Sequence, residues 1–213
     1  MKGDIYHIVN RGVDKRVIFN TVTDYSRFVY GLYDFNDRKP VSLPHSDRRS
    51  CNLAIRKPGD ELVGILCVCL MPNHFHLLVQ EKVDGGTGLF SKKLTSGYTQ
   101  SFNLKNDRSG VLFQGRTKII LVEKDEYLLH LPYYIFSNPI KLIDSQWKKN
   151  GIRDFKKVTD FLKNYRWSSF SKTISGKNSV FKDIVKDDLF YSLFDISAKR
   201  YYKDFIEWLR LRD

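Results

Sequence analysis

Nineteen consecutive residues, 62–80, carry no Asp, Glu, Lys or Arg side chain, and this segment constrains the fold more than any other. A run of this length raises the question of a membrane-spanning helix. However, a Pro-Asn-His-Phe-His sequence starts at Pro72, near its middle, where a lipid-facing helix would tolerate it badly. The continuous apolar run 63–70 is instead typical of a strand that is covered on both faces. With turn chemistry at 71–73 and a second strand at 74–80, the segment predicts an antiparallel hairpin.

The second strand of this hairpin carries two histidines in alternation with apolar residues. Side chains alternate across a strand, so His74 and His76 share one face, while Phe75, Leu77 and Val79 point to the other and can pack on helices. Two imidazoles about 7 Å apart on one face could hold a divalent metal if a third ligand came from elsewhere. The alternative is that both histidines are ordinary core or surface residues that bind nothing.

The rest of the first 140 residues supplies two more strands and three helices. Their order, β-α-β-β-α-β-α, is the split βαβ pattern with one extra helix. We therefore predict an α+β, ferredoxin-like (RRM-like) fold: an antiparallel sheet with helices on one face, a further helix after the last strand and a basic helical extension at the C-terminus. The predicted strands are 5–10 and 111–122, the predicted helices are 24–36 (capped by Asp24), 88–104 and 125–137, and the polar segment 37–61 is predicted to be a loop or a variable hairpin.

The composition of the chain changes after residue 140, where basic stretches and shorter apolar runs begin. Helices are predicted at 156–164 and 198–211, separated by shorter apolar runs. We accordingly predict a catalytic domain at 1–140 and a basic C-terminal extension at 141–213 that packs on it.

Basic residues are concentrated in the C-terminal part. The formal charge is +12, and residues 141–177 alone hold 10 Lys or Arg against 3 Asp or Glu. Such a patch favours a polyanionic partner, although a solvated surface would have the same composition. An odd number of cysteines, three, argues against a disulfide framework, and the N-terminus lacks the apolar run of a signal peptide, so we expect a soluble cytoplasmic protein.

A tyrosine and an asparagine in the helix at 125–137 form a second candidate site. Tyr134 and Asn138 lie four residues apart, so they share a helix face. A tyrosine nucleophile beside an amide oxygen ligand would suit phosphoryl transfer next to a metal, but both are also ordinary residues for a helix end. Pro132 lies inside this helix, which could kink or begin late there. The open alternatives are Tyr127 or Tyr133 as the reactive tyrosine and His130 as the ligand in place of Asn138.

Together these segments resemble the HUH-class single-tyrosine transposases, in particular the REP-associated tyrosine transposases. The resemblance rests on Met-Pro-Asn-His-Phe-His-Leu-Leu-Val at 71–79 and on Tyr-Ile-x-x-Asn-Pro at 134–139. Weaker matches are Tyr-His-Ile-Val-Asn-Arg-Gly at 6–12, Phe-Gln-Gly-Arg at 113–116 and Arg-Trp-Ser-Ser at 166–169. The likeness covers roughly residues 5–170.

The resemblance implies a metal-dependent endonuclease and strand transferase that acts on single-stranded DNA beside a hairpin of palindromic sequence. Tyr134 would form a 5′-phosphotyrosine, and His74 and His76 would hold Mg²⁺ or Mn²⁺ with Asn138 as the candidate third ligand. The family includes monomers and homodimers, so the tyrosine could act in cis or in trans. The candidate DNA-binding residues are Arg11, Arg116, Lys118, Lys141, Lys148 and Lys149.

Two other functions stay open at this point. A non-catalytic module that binds single-stranded nucleic acid on an RRM-like sheet would have the same strand order. Such a module needs exposed aromatic residues on the sheet and does not need the histidines and Tyr134 to meet. A zinc-dependent hydrolase is the more distant alternative, in which Cys67 and Cys69 on the first hairpin strand would recruit zinc.

Overall fold

The computed structural model describes residues 1–39, 59–123, 125–175 and 179–211. Side chains at 125, 126 and 175 are not described. Most of the predicted loop 37–61, including Cys51, therefore lies outside the described residues. The regular elements are β1 (Ile5–Arg11), α1 (Val22–Asp34), β2 (Val63–Met71), β3 (His74–Glu81), α2 (Gly86–Lys105), β4 (Lys118–Leu121), α3 (Asp125–Ser137), α4 (Trp147–Asn150), α5 (Phe155–Asn164), α6 (Phe170–Ser175), α7 (Asp187–Phe194) and α8 (Ala198–Arg210), with 3-10 helices at Val13–Lys15 and Asn138–Leu142.

The four strands form one antiparallel sheet in the order β2-β3-β1-β4. The hairpin strand β3 is therefore central, with β2 on one side and β1 on the other. Opposite β3, Val9 pairs with His76 and Arg11 pairs with His74. The α+β antiparallel architecture predicted from the sequence is confirmed.

One face of the sheet packs on α1 and α2. Phe75 and Leu77 of β3 belong to the same buried cluster as Phe28 of α1 and Phe90 of α2. The rings of Phe28 and Phe75 lie 4.8 Å apart between centroids, a distance that suits aromatic packing. The apolar face of β3 thus packs on helices, as its alternation predicts.

The opposite face is covered by α3 and by the helices that follow it. Ile135 and Phe136 of α3, Phe170 of α6 and Phe205 of α8 form one buried cluster with β-strand residues such as Leu78. Residues on both sides of position 140 therefore contribute to one core. The division into 1–140 and 141–213 stays a prediction.

A bulge in β2 changes which residues reach this second core. Ile65 pairs with Val79 and Cys67 pairs with Leu78, so Leu66 is an extra residue between them. Leu66 and Cys67 consequently both belong to the cluster that includes α3. After the bulge, Cys69 pairs with His76 and lies on the histidine face. A continuous apolar run gives no sign of such an irregularity.

Side-chain hydrogen bonds join the helices to the sheet. The amide of Asn36, just after α1, donates to the Val63 carbonyl oxygen at 2.8 Å and accepts from the Leu62 and Val63 N–H groups at 3.1 and 2.9 Å. At the start of α1 the N-cap is Thr21, not Asp24 as predicted. Asp24 is the third helical residue, and its carboxylate accepts from the Thr21 N–H in a capping box.

Other departures concern short or unpaired segments. Only Lys118–Leu121 of the predicted strand 111–122 pairs in the sheet. Helix α3 runs from Asp125 through Pro132 to Ser137, so it does not begin late. Helices α4, α6 and α7 were not predicted, because segments of 4, 6 and 8 residues are too short to show a periodicity. In the part of the chain that the structure describes, no helix is long and apolar enough to cross a membrane.

Candidate active site

The centre of the candidate site is a group of three histidines on adjacent strands. His74 and His76 of β3 lie on the same face, and their ring centroids are 5.1 Å apart. Strand β1 adds His7, whose ring centroid lies 5.2 Å from that of His76 and whose ring plane is within 16° of it. All three side chains are buried, at 8% exposure or less.

Each of the two β3 histidines has its Nδ1 atom in a hydrogen bond. His74 Nδ1 lies 2.7 Å from the side-chain oxygen of Asn73, and His76 Nδ1 lies 2.9 Å from His7 Nε2. These bonds leave the Nε2 atom of each ring available for another partner. A histidine that binds a metal commonly does so through one ring nitrogen while the other is hydrogen-bonded, and the pair has this arrangement.

Burial keeps these imidazoles neutral at physiological pH. It lowers the pKa of His7 to about 4 and that of His74 to about 4. For His76 burial again is the largest cause of a pKa well below 6.5, and the neighbouring imidazoles and the Lys141 and Arg11 charges act in the same direction. Neutral imidazoles have the lone pairs that a cation requires.

Tyr134 of α3 lies directly against this group. Its ring centroid is 5.6 Å from that of His76 and 6.5 Å from that of His7, edge to face in both cases. The side chain is half-buried, and burial is the main cause that raises its pKa, partly opposed by the Arg11 charge. The phenol is therefore protonated at neutral pH.

The other two tyrosines of α3 lie elsewhere. Tyr133 is buried and packs against Tyr201, Phe205 and Trp208 of α8. Tyr127 is exposed, two turns before Tyr134. Of the three, Tyr134 is the one whose ring contacts the histidine group.

Asn138 and His130, the two candidates for a third ligand, differ in environment. Asn138 is buried directly after α3, where its amide donates to the Tyr134 carbonyl oxygen at 2.8 Å. It thereby holds the C-terminal turn that carries Tyr134. His130 is exposed, and its ring lies near Tyr133. A ligand role for Asn138 stays a prediction.

The predicted DNA-binding cations fall into two groups. Arg11 and Lys141 are exposed, and each lies close enough to His74 and His76 to lower the pKa of both. Lys148 of α4 has its Nζ atom 4.9 Å from the centre of the Tyr134 ring, and the exposed Lys149 follows it. On the edge strand, Lys118 pairs with Val9, so it lies on the histidine face.

Arg116 belongs to a different surface. It lines a cavity of about 1030 Å³ between α2 and residues 111–119, together with Asn10 and Thr117. Because Asn10 alternates with Arg11 along β1, this cavity lies on the opposite side of the sheet from the histidines. The structure therefore does not bring Arg116 together with the other cations.

The cysteines do not complete a metal site. Cys67 and Cys69 are free and fully buried, and burial raises the pKa of both thiols. Among the residues described, no three His, Cys, Asp or Glu side chains form a group that could hold a metal ion. The two β3 histidines thus offer two metal ligands, and Asn138 or a substrate would have to provide the others.

His7 was not predicted as a site residue, although its motif was noted. The signal was present, because His7, Val9 and Arg11 alternate along β1 and must share one face. The sequence does not reveal the register of β1 on β3, which places this face of β1 beside His76.

Comparison with known proteins adds a likeness in fold. No family model matches the sequence, and no curated protein matches it. A solved structure of a REP-associated tyrosine transposase bound to a REP hairpin has a TM-score of 0.52 and 16% sequence identity, covering 84% of this chain and 85% of that chain. At this identity the match shows the fold: the chain shares the overall architecture of a REP-associated tyrosine transposase.

Proposed function

We propose that the chain is a metal-dependent single-stranded DNA endonuclease and strand transferase of the HUH type, which cleaves beside a DNA hairpin. The observation that carries this proposal is the meeting of Tyr134 with the histidine pair, ring centroid to ring centroid 5.6 Å from His76. These residues come from elements far apart in the chain. A purely structural role for the two histidines would not require a half-buried tyrosine next to them.

In the proposed reaction, the phenolic oxygen of Tyr134 attacks the phosphorus of a backbone phosphate. A bond from that oxygen to phosphorus forms and the bond to the 3′-oxygen breaks, which gives a 5′-phosphotyrosine and a free 3′-hydroxyl. The departing oxygen takes up a proton, and the phenol releases its own to solvent. A 3′-hydroxyl can later reverse the attack, so rejoining or strand transfer needs no nucleotide hydrolysis.

The donor set fits a divalent cation. Both β3 imidazoles are neutral, and their Nδ1 atoms are held by Asn73 and His7, so His74 and His76 would bind through Nε2. Bound Mg²⁺ or Mn²⁺ would polarise the phosphate and orient it for in-line attack. We propose Asn138 or substrate oxygens for the remaining positions.

The charge around the site supports DNA as the substrate. Arg11, Lys141 and Lys148 surround the histidines and Tyr134, and residues 141–177 carry a net charge of +7. Such a surface binds phosphates by counterion release. The structural neighbour was solved with a REP hairpin, which favours hairpin DNA as the first ligand to test. Since Tyr134 and His76 meet within one chain, we propose that a monomer can supply the whole site in cis.

The open-sheet alternative has less support. Helices cover both faces of β2 and β3, Phe75 is fully buried and Tyr6 on β1 is half-buried. The edge strand β4 is exposed, but it carries no aromatic residue. An RRM-like module stacks bases on exposed aromatics of the sheet face, and no aromatic residue on the four strands is exposed here. We retain the cytoplasm as the proposed compartment, in keeping with the free buried thiols of Cys67 and Cys69.

The test is the formation of a covalent protein–DNA adduct. Labelled single-stranded oligonucleotides, made from palindromic repeats that flank the gene, are incubated with the protein and Mn²⁺ or Mg²⁺. We expect an adduct with the unmutated chain, none with Tyr134→Phe, and a strong loss with His74→Ala or with a chelator.

Tyr133→Phe is the matched control. Its ring packing on α8 is retained, so it should form the adduct at the normal rate. Equal adduct formation by Tyr134→Phe and the unmutated chain would remove Tyr134 from the role. Hairpin binding without metal and without any adduct would favour the non-catalytic module instead.

A further inference from the structure

The contact between His7 and His76 is a hydrogen bond between two buried imidazoles. His7 Nε2 lies 2.9 Å from His76 Nδ1, and both side chains are 4% exposed. The register pairs Val9, not His7, with His76, so the two rings meet as diagonal neighbours across the strands, edge to edge and nearly coplanar.

Such a bond requires one donor and one acceptor. Each neutral ring has one N–H and one bare nitrogen. If His76 donates from Nδ1, its Nε2 has a lone pair. If His7 donates instead, the hydrogen of His76 sits on Nε2, and that nitrogen cannot bind a cation.

We propose that His7 is a positioning residue, which accepts the Nδ1–H of His76 and so holds it in the tautomer with a free Nε2 lone pair for a divalent cation. This inference rests on the proposed metal-dependent function. His74 has the equivalent arrangement, since the side-chain oxygen of Asn73 can only accept and thereby fixes the hydrogen on Nδ1.

The other nitrogen of His7 does not decide which ring donates, but it shows that an imidazole is costly at this position. His7 Nδ1 is buried and has no hydrogen-bond partner among the described residues. An unsatisfied buried polar atom is costly, and an apolar side chain at this position would avoid that cost. What the imidazole of His7 provides, and an apolar side chain would not, is the bond between its Nε2 atom and Nδ1 of His76.

The experiment measures Mn²⁺ binding to the full chain without DNA, by the loss of the free Mn²⁺ electron paramagnetic resonance signal. The variants are His7→Phe, which keeps the ring volume without an acceptor, and His7→Gln, whose amide oxygen can reach the position of Nε2. We expect about 10- to 100-fold weaker binding for His7→Phe, the range found for lost outer partners of metal ligands. His7→Gln should stay within about threefold of the unmutated chain.

His74→Ala separates the two possible failures. If the unmutated chain binds Mn²⁺ and His74→Ala does not, the metal platform stands. Equal affinity of His7→Phe and the unmutated chain would then overturn the role of His7 alone. No Mn²⁺ binding by the unmutated chain would overturn the metal platform and this inference together.

A spectroscopic measurement keeps the inference testable if His7→Phe does not fold. In the unmutated chain labelled with [¹⁵N]histidine and saturated with Mg²⁺, the nitrogen shifts report which ring atom of His76 is protonated. We expect the hydrogen on Nδ1, and a hydrogen on Nε2 would overturn the inference.

Discussion

Replacing Lys148 by methionine should slow DNA cleavage more than it weakens DNA binding. Lys148 Nζ lies 4.9 Å from the centre of the Tyr134 ring. A cation over an aromatic face is favourable, and it becomes more so as negative charge builds on the phenolic oxygen. Methionine retains most of the length of the side chain and removes the charge.

The magnitude follows from that distance. The charge forms on the phenolic oxygen rather than at the ring centre, so a separation of about 5–6 Å applies, and two unit charges at that separation and an effective dielectric constant of about 20–40 interact by about 1.5–3 kcal/mol. About half of this applies to a partial charge in the transition state, so we expect a loss of about 1 kcal/mol, or about fivefold in rate.

The assay is single-turnover adduct formation at a saturating hairpin concentration. Lys149→Met is the matched control, because Lys149 is the next residue in α4, about 100° further around the helix. Both variants should lower the salt dependence of DNA binding by about one counterion, whereas the rate should fall in Lys148→Met alone. Equal rates for the two variants would refute the reasoning.

Three further predictions concern stability. Asn36→Ala should lower the free energy of unfolding by about 2–4 kcal/mol in a urea titration, because buried backbone groups at Leu62 and Val63 lose their partners; an unchanged midpoint would contradict this. Phe205→Ala, which opens a cavity beside Tyr133 and Phe170, should cost about 3–5 kcal/mol in a single cooperative transition, whereas two separate transitions would indicate an independent C-terminal unit. Acid should destabilise the metal-free chain as the pH falls from 6.5 towards 4, because the folded-state pKa values of His7 and His74 are about 4 and the unfolded chain binds more protons in this window. The loss is on the order of 3 kcal/mol per histidine below pH 4, and a His74→Gln variant should show a weaker pH dependence of its thermal midpoint.

The sequence was sufficient for features that depend on alternation and on element order. The period of two along β3 placed His74 and His76 on one face and Phe75 on the other, and the structure has this arrangement. The order of strands and long helices was also correct, because these elements have enough residues to show their period.

Features that depend on long-range pairing were not accessible. The contact of His7 with His76 follows from the register of β1 on β3, and no local pattern reports a register. Arg116 was predicted to bind DNA together with Arg11, yet Arg11 lies near His74, whereas Arg116 lines a cavity on the opposite side of the sheet. The capping role of Thr21 was missed because Asp24 is itself a good N-cap residue. In the capping box, however, Thr21 is the N-cap and Asp24 is the third helical residue.

The extra residue in β2 also affects how this chain should be aligned with others. Because Leu66 is an extra residue, the side chains that face α1 and α2 stand at odd-numbered positions before it (Val63 and Ile65) and at even-numbered positions after it (Val68 and Leu70). A relative without the bulge would be one residue shorter here, and an alignment without a gap inside the strand would match residues from opposite faces. A single-residue gap at Leu66 should therefore be accepted inside this strand, where alignment methods usually penalise gaps, and not moved into the turn before His74.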